Sequence, residues 1–179
     1  MGARKQIAKL LAKIPKISSR RADQAAALCW RVSDRGSLEI LLVTSRDTGR
    51  LVIPKGNIRR RESTYRAAQR EAFEEAGVSG KIRKTASGYY EYVKDDDQRL
   101  VVVAHLLKAI NESNDFPERA ERQRLWVAPT AAASMVDEAE LKEMLVRLDE
   151  RTVLASQDRQ PPNREMVKTG RSDQAITVV

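Results

Sequence analysis

Apolar and polar positions alternate along this chain in blocks that predict a sequence of strands and two helices. Residues 25–32 and 38–44 are nearly unbroken apolar runs, separated by the turn signal Asp34-Arg35-Gly36-Ser37, and predict two buried strands. Gly49 interrupts the pattern, and Leu51-Val52-Ile53 then leads to Pro54. Residues 63–76 contain no Gly or Pro and are rich in Ala, Glu, Gln and Arg, which predicts a helix that stops at Gly77. Residues 81–94 and 99–110 predict two strands of a hairpin around the polar tip Asp95-Asp96-Asp97-Gln98. In the second of these, Val101, Val103 and His105 face one way, and Val102, Ala104 and Leu106 the other. A short strand at 122–127 and a helical turn at 130–135 follow. A helix at 137–151 then carries the apolar stripe Leu141, Met144, Leu145 and Leu148. Strands on both sides of the first helix and a closing helix imply a mixed α+β domain with the sheet packed between helices.

The chemistry concentrates in the first helix. Glu71, Glu74 and Glu75 stand at i, i+3 and i+4, so their carboxylates share one helical face. Like charges so placed repel unless a cation sits among them, and hard oxygen ligands suit Mg²⁺ or Mn²⁺. Gly56, in the loop before the helix, lets backbone approach a ligand closely. An isolated Glu-x-x-Glu-Glu is most often a solvated acidic face; what changes the reading is the longer pattern around it.

That pattern runs from Gly56 through Glu62 to Arg70-Glu71-Ala72-Phe73-Glu74-Glu75-Ala76-Gly77-Val78. It resembles the Nudix box, G-x5-E-x7-R-E-U-x-E-E-x-G-U with U apolar, at every fixed position. The resemblance implies an α/β/α sandwich around a mixed sheet, over about residues 23–151. It also implies metal-dependent hydrolysis of a diphosphate linkage. Carried over residue by residue, Glu71 and Glu75 are metal ligands. Glu74 is the general base or a ligand through water, with Glu71 the alternative base. Lys55, just before the first box glycine, offers its carbonyl to the metal. Glu62 and Arg70 are a structural ion pair. Such a site has no need of a Ser or Cys nucleophile. His105, the single histidine, has no triad partner in the sequence and is expected to pack within a strand.

Segments 25–31, 39–45 and 122–127 are similar to the diphosphoinositol polyphosphate phosphohydrolase branch of that family. The branch also cleaves diadenosine polyphosphates. The chain departs from it in two places. Pro54-Lys55-Gly56-Asn57 replaces a triple glycine and is similar instead to dinucleoside tetraphosphate hydrolases. Ala22-Asp23-Gln24 stands where basic residues are expected. The run Arg59-Arg60-Arg61 beside the acidic helix reads either as a phosphate-binding rim or as a solvated loop. Arg99 and Arg124 match phosphate-contacting positions of the branch, or else are surface charges. The substrate expected is a highly phosphorylated small molecule. The alternatives are an RNA 5′ pyrophosphohydrolase or nucleic-acid-associated protein, another nucleoside diphosphate hydrolase, and a binding-only module, against which the intact glutamate set argues.

Charge and cysteine content refine this picture without altering it. The chain has 179 residues and a net charge of +8, but residues 1–21 hold seven basic residues and no acid. The other 26 basic and 25 acidic residues nearly balance, so a globally basic nucleic-acid surface is not implied. Ile7, Leu10, Leu11 and Ile14 give the 1–22 arm an amphipathic basic helix. Contact with anionic membrane or nucleic acid is one reading. We favour an arm that is mobile or docked on its own domain or on a partner subunit; a transit peptide is a further alternative. Residues 152–179 are polar and read as a tail. A single cysteine, Cys29, excludes an intramolecular disulfide and fits a cytoplasmic protein with that thiol buried. The pattern does not set the oligomeric state.

Overall fold

A computed structural model of the protein describes residues 22–94 and 98–148. The arm, the tail and the hairpin tip discussed above fall mostly or wholly outside these residues. The elements in chain order are β1 (Gln24–Val32), β2 (Leu38–Thr44), β3 (Leu51–Val52), β4 (Lys55–Asn57), α1 (Thr64–Ala76), β5 (Val78–Ile82), β6 (Gly88–Lys94), β7 (Gln98–Glu112), β8 (Arg124–Val127), α2 (Pro129–Met135) and α3 (Ala139–Arg147).

The strands form one mixed sheet with the path β3-β2-β1-β7-β5. Strands β1 and β7 run parallel in its centre, with Ala27 opposite His105. Both are buried on both faces, which is why β1 reads as a continuous apolar run rather than an alternating one. The sheet forks along β1: its last residues pair with β2 (Trp30 with Ile40), whereas its first pair with β4 (Ala25 with Gly56). This fork carries Lys55–Asn57 under α1, and it is the feature that places the site.

Helix α1 covers one face through Ala67, Ala68, Ala72 and Ala76, all fully buried. They pack against Ala25, Ala27, Cys29, Val103 and Leu107. Small side chains on both surfaces let the helix lie close to the sheet, within reach of short acidic side chains. Helices α2 and α3 cover strands β2 and β6, with Leu141 and Leu145 buried, so the layers are α/β/α as expected. Gly77 ends α1 in the left-handed conformation at φ 65°, and a Cβ there would stand 2.4 Å from the Ser113 carbonyl oxygen.

Several expected boundaries differ. The strand expected at 81–94 is two strands, β5 and β6. Both lie against the same 15-residue strand β7, β5 along its second half and β6 along its first. The chain leaves the ladder between them, at 83–87, where the sequence carries no Gly or Pro to mark the break. Strand β7 also runs on to Glu112, and β8 begins at Arg124 rather than 122. Helix α3 starts at Ala139, because Asp137 and Glu138 are spent on the link from α2.

Candidate active site

The acidic residues of α1 meet the fork in the sheet. The Glu71 carboxylate lies directly on Gly56: a Cβ there would come within 2.2 Å of Glu71 Oε1. The Lys55 backbone N–H donates to Glu75 Oε2 at 3.1 Å. Glycine is needed at 56 because a carboxylate fills the place of its side chain, rather than for its backbone freedom. Both acids are buried, at 7 % and 4 % exposure. Burial pushes the Glu71 carboxyl above its usual range, against the pull of Arg70. It pushes Glu75 up to about 7, against Arg122 and the Lys55 N–H. Burial likewise lowers the Lys55 ammonium.

Two arginines hold these acids. Arg70 grips Glu62 with Nε and Nη2, both at 3.0 Å. It also donates to Glu71 at 2.5 Å, to Glu74 at 2.9 Å and to the Asn57 carbonyl at 2.9 Å. One guanidinium thereby ties the loop before α1 to the helix. The Arg59 N–H donates to Glu62 at 3.0 Å, and the Arg59 side chain to Glu74 at 3.0 Å. Arg122 is the second organiser, and sequence reasoning missed it. Its buried guanidinium contacts Glu75, Glu118 at 2.5 Å and the Thr44 carbonyl at 2.8 Å. Only the i, i+4 spacing of Glu118 and Arg122 hints at this in the sequence.

The three glutamates therefore share a helical face but not a point. Glu71 and Glu74 meet at Arg70, while Glu75 turns to Arg122. Among the described residues no three carboxylate, histidine or cysteine groups converge as a closed metal cage would. The donor set still fits a hard divalent cation: Mg²⁺ is commonly held by one or two carboxylates plus phosphate oxygens. Glu71 and Glu75 are desolvated acids whose ionised forms a cation would favour.

The remaining expected residues are dispersed. Arg60 and Arg61 are exposed on the loop before α1, with Arg61 at φ 65°. Arg99 is exposed on the hairpin, 3.9 Å from Glu91. Arg124, read from the sequence as a phosphate contact or a surface charge, is engaged within the fold. Its guanidinium donates to the carbonyls of Ala76 and Ser113, each at 3.0 Å, and to Asn114 at 2.9 Å, clamping the end of α1 to the segment after β7. His105 is buried, as expected. Its Nδ1 lies 3.0 Å from the Arg83 carbonyl, which can only accept, so that nitrogen carries the proton and Nε2 accepts from Thr64.

Comparison with known proteins agrees with this geometry. The NUDIX domain family model matches residues 22–163. Nudix hydrolase 12, mitochondrial, of Arabidopsis thaliana is 36 % identical over 105 residues, covering 55 % of this chain and 52 % of that one. Diphosphoinositol polyphosphate phosphohydrolase 3-beta of Bos taurus is 35 % identical over 103 residues, 58 % of this chain and 62 % of that one. The matches thus span about half to three fifths of these relatives' lengths. A C. elegans Ap4A hydrolase structure superposes with a TM-score of 0.63 at 23 % identity, over 76 % of this chain and 99 % of that one. That likeness concerns the fold. With the box, the sandwich and the matched length in agreement, the chain belongs to the Nudix family.

Proposed function

We propose that the protein is a divalent-metal-dependent pyrophosphohydrolase acting on a phosphorylated small molecule, with a diphosphoinositol polyphosphate or a dinucleoside polyphosphate as the substrate class. The observation that carries this reading is the seating of two buried carboxylates, Glu71 and Glu75, on the backbone of Gly56 and Lys55. Glu71 and Glu75 would hold the cation, with Glu74 and the Lys55 carbonyl completing the protein's share. When bound, the cation neutralises the diphosphate and acidifies an attacking water.

The chain's own residues do the rest. Glu74 is the least buried of the three acids and accepts bonds from Arg59 and Arg70, which fix its orientation. It is the group we assign to take the proton. Arg60 and Arg61 stand on the loop that leads into α1, where they can meet further phosphates. Arg122 holds the Glu75 side chain. The relative from Bos taurus supports the substrate class by its name, and the sequence segments noted above point the same way. The RNA reading rests on the N-terminal arm, which is outside the described residues, and nothing at the site favours it.

The test is phosphate release across diphosphoinositols, dinucleoside polyphosphates, nucleotide sugars and capped RNA, with Mg²⁺, with Mn²⁺ and with excess chelator. Turnover should require the metal, and Glu75→Gln should lower kcat by orders of magnitude in a protein that remains folded. Undiminished turnover in chelator would reject the proposal.

A further inference from the structure

Glu75 is held differently from the other acids of α1. Arg70 serves Glu62, Glu71 and Glu74. Glu75 is left to Arg122, which lies outside the 56–78 span. Arg122 Nη2 donates to Glu75 Oε1, and the Lys55 N–H donates to the opposite oxygen, Oε2. The same guanidinium is anchored on two further sides. Its Nε donates to Glu118 at 2.5 Å and its Nη1 to the Thr44 carbonyl at 2.8 Å. Glu118 is fixed in turn, because its backbone N–H donates to the Glu74 carbonyl at 3.0 Å. Helix α1, Glu118 and Arg122 thus form a closed ring of contacts.

This anchoring has an electrostatic consequence. An ionised carboxylate offers about four acceptor sites, so Glu75 can ligate a cation and keep Arg122 as a partner. The guanidinium is always charged and its side chain is only 7 % exposed. Held from Thr44 and Glu118, it does not swing away when a second cation arrives. A positive charge fixed beside a cation ligand opposes binding, and buried charges are little screened by salt. Glu118 offsets part of that charge, and Arg46, 3.7 Å from Glu118, draws on the same acid.

We propose that Arg122 is a positioning residue that sets the divalent-cation affinity of the site, holding Glu75 in place while its fixed charge keeps the protein's grip on the ion weak. The inference rests on the reading of Glu71 and Glu75 as metal ligands and adds a determinant of affinity that lies outside the acidic helix and its loop.

The test is Mn²⁺ titration of the full chain without substrate, followed by the electron paramagnetic resonance signal of free Mn²⁺. Arg122→Met keeps most of the side chain's bulk and removes its charge. It should bind Mn²⁺ more tightly by at least about tenfold, the low end of the range over which one neighbouring charge moves a carboxylate's affinity for a proton. Arg122→Lys retains the charge and should stay close to wild type. Glu118→Gln leaves the Arg122 charge less offset and should weaken Mn²⁺ binding. A merely structural Arg122 predicts the opposite sign for Arg122→Met, since a loosened Glu75 binds less well. In chelator Arg122→Met should melt below wild type, and Mn²⁺ should raise its Tm by more than it raises that of wild type. Should Arg122→Met be unfolded in chelator, Mn²⁺ should refold it, and failure to do so would overturn the inference. Unchanged or weaker Mn²⁺ binding in a folded Arg122→Met protein would also overturn it, while leaving the metal-ligand reading standing if Glu75→Gln has lost Mn²⁺ binding. If Glu75→Gln binds Mn²⁺ as well as wild type, both fall together.

Discussion

Replacing Gly56 with alanine should separate catalysis from folding. The backbone at 56 is outside the left-handed region, so alanine meets no conformational penalty there. The new Cβ would stand 2.2 Å from Glu71 Oε1, 2.3 Å from its Cδ and 2.6 Å from Oε2. Ordinary contacts begin near ~3.5 Å, so the carboxylate has to retreat by about 1.3 Å. It is the end of a flexible side chain and is able to do so. The retreat strains or breaks its 2.5 Å bond with Arg70. Losing one charge-assisted bond costs about 1.5–3 kcal/mol, and the stiffer unfolded chain returns about 0.4–1 kcal/mol. A net loss of about 0.5–2.5 kcal/mol lowers Tm by roughly 1–10 °C for a chain of this size. Misplacing a group at the chemistry by about 1 Å costs on the order of 10²-fold in rate. The expected result is a folded protein with a modest Tm change, kcat down about a hundredfold and weakened Mn²⁺ binding. Circular dichroism, steady-state hydrolysis and Mn²⁺ titration measure the three. Full activity in a stable Gly56→Ala protein would refute the claim that the seat of Glu71 on the β4 backbone matters.

Three further outcomes follow from the same contacts. Glu62→Gln removes one side of the bidentate pair with Arg70 but leaves Arg70 its bonds to Glu71 and Glu74, so stability should fall by about 1.5–3 kcal/mol, with kcat falling less than in Glu75→Gln; an unchanged Tm with abolished turnover would assign Glu62 to the chemistry instead. Glu75, raised from 4.5 to about 7, binds its proton more tightly in the folded protein, so its contribution is present below pH 4.5 and lost as pH rises through 7. In chelator, urea unfolding should show a loss on the order of 3 kcal/mol over that window for the wild type and not for Glu75→Gln; parallel curves would reject this origin. Replacing Arg60 and Arg61 with serine, which leaves the Arg59–Glu74 bond in place, should raise KM for polyphosphate substrates more than for ADP-ribose, by a margin that narrows with salt; equal effects on all substrates would return these two arginines to a solvated loop.

Much of this protein was legible in its sequence because the signals are local. The apolar runs of β1 and β2, the Ala-rich helix ending at Gly77 and the stripe of α3 follow from periodicity and propensity within a dozen residues. The 23-residue span from Gly56 to Val78 located the acidic site because loop, helix and stop are contiguous. Other features depend on strands meeting across long separations, and no local pattern encodes them. The division of 81–94 into β5 and β6 arises because both lie against β7. Arg122 reaches Glu75 across 47 positions, and Arg124 reaches the Ala76 carbonyl across 48. In the sequence these two arginines are near neighbours on one short segment; only packing makes one the counter-ion of a buried acid and the other a clamp on the helix end. Burial is decided by the strands and helices that close around a residue, not by the residues beside it in the chain.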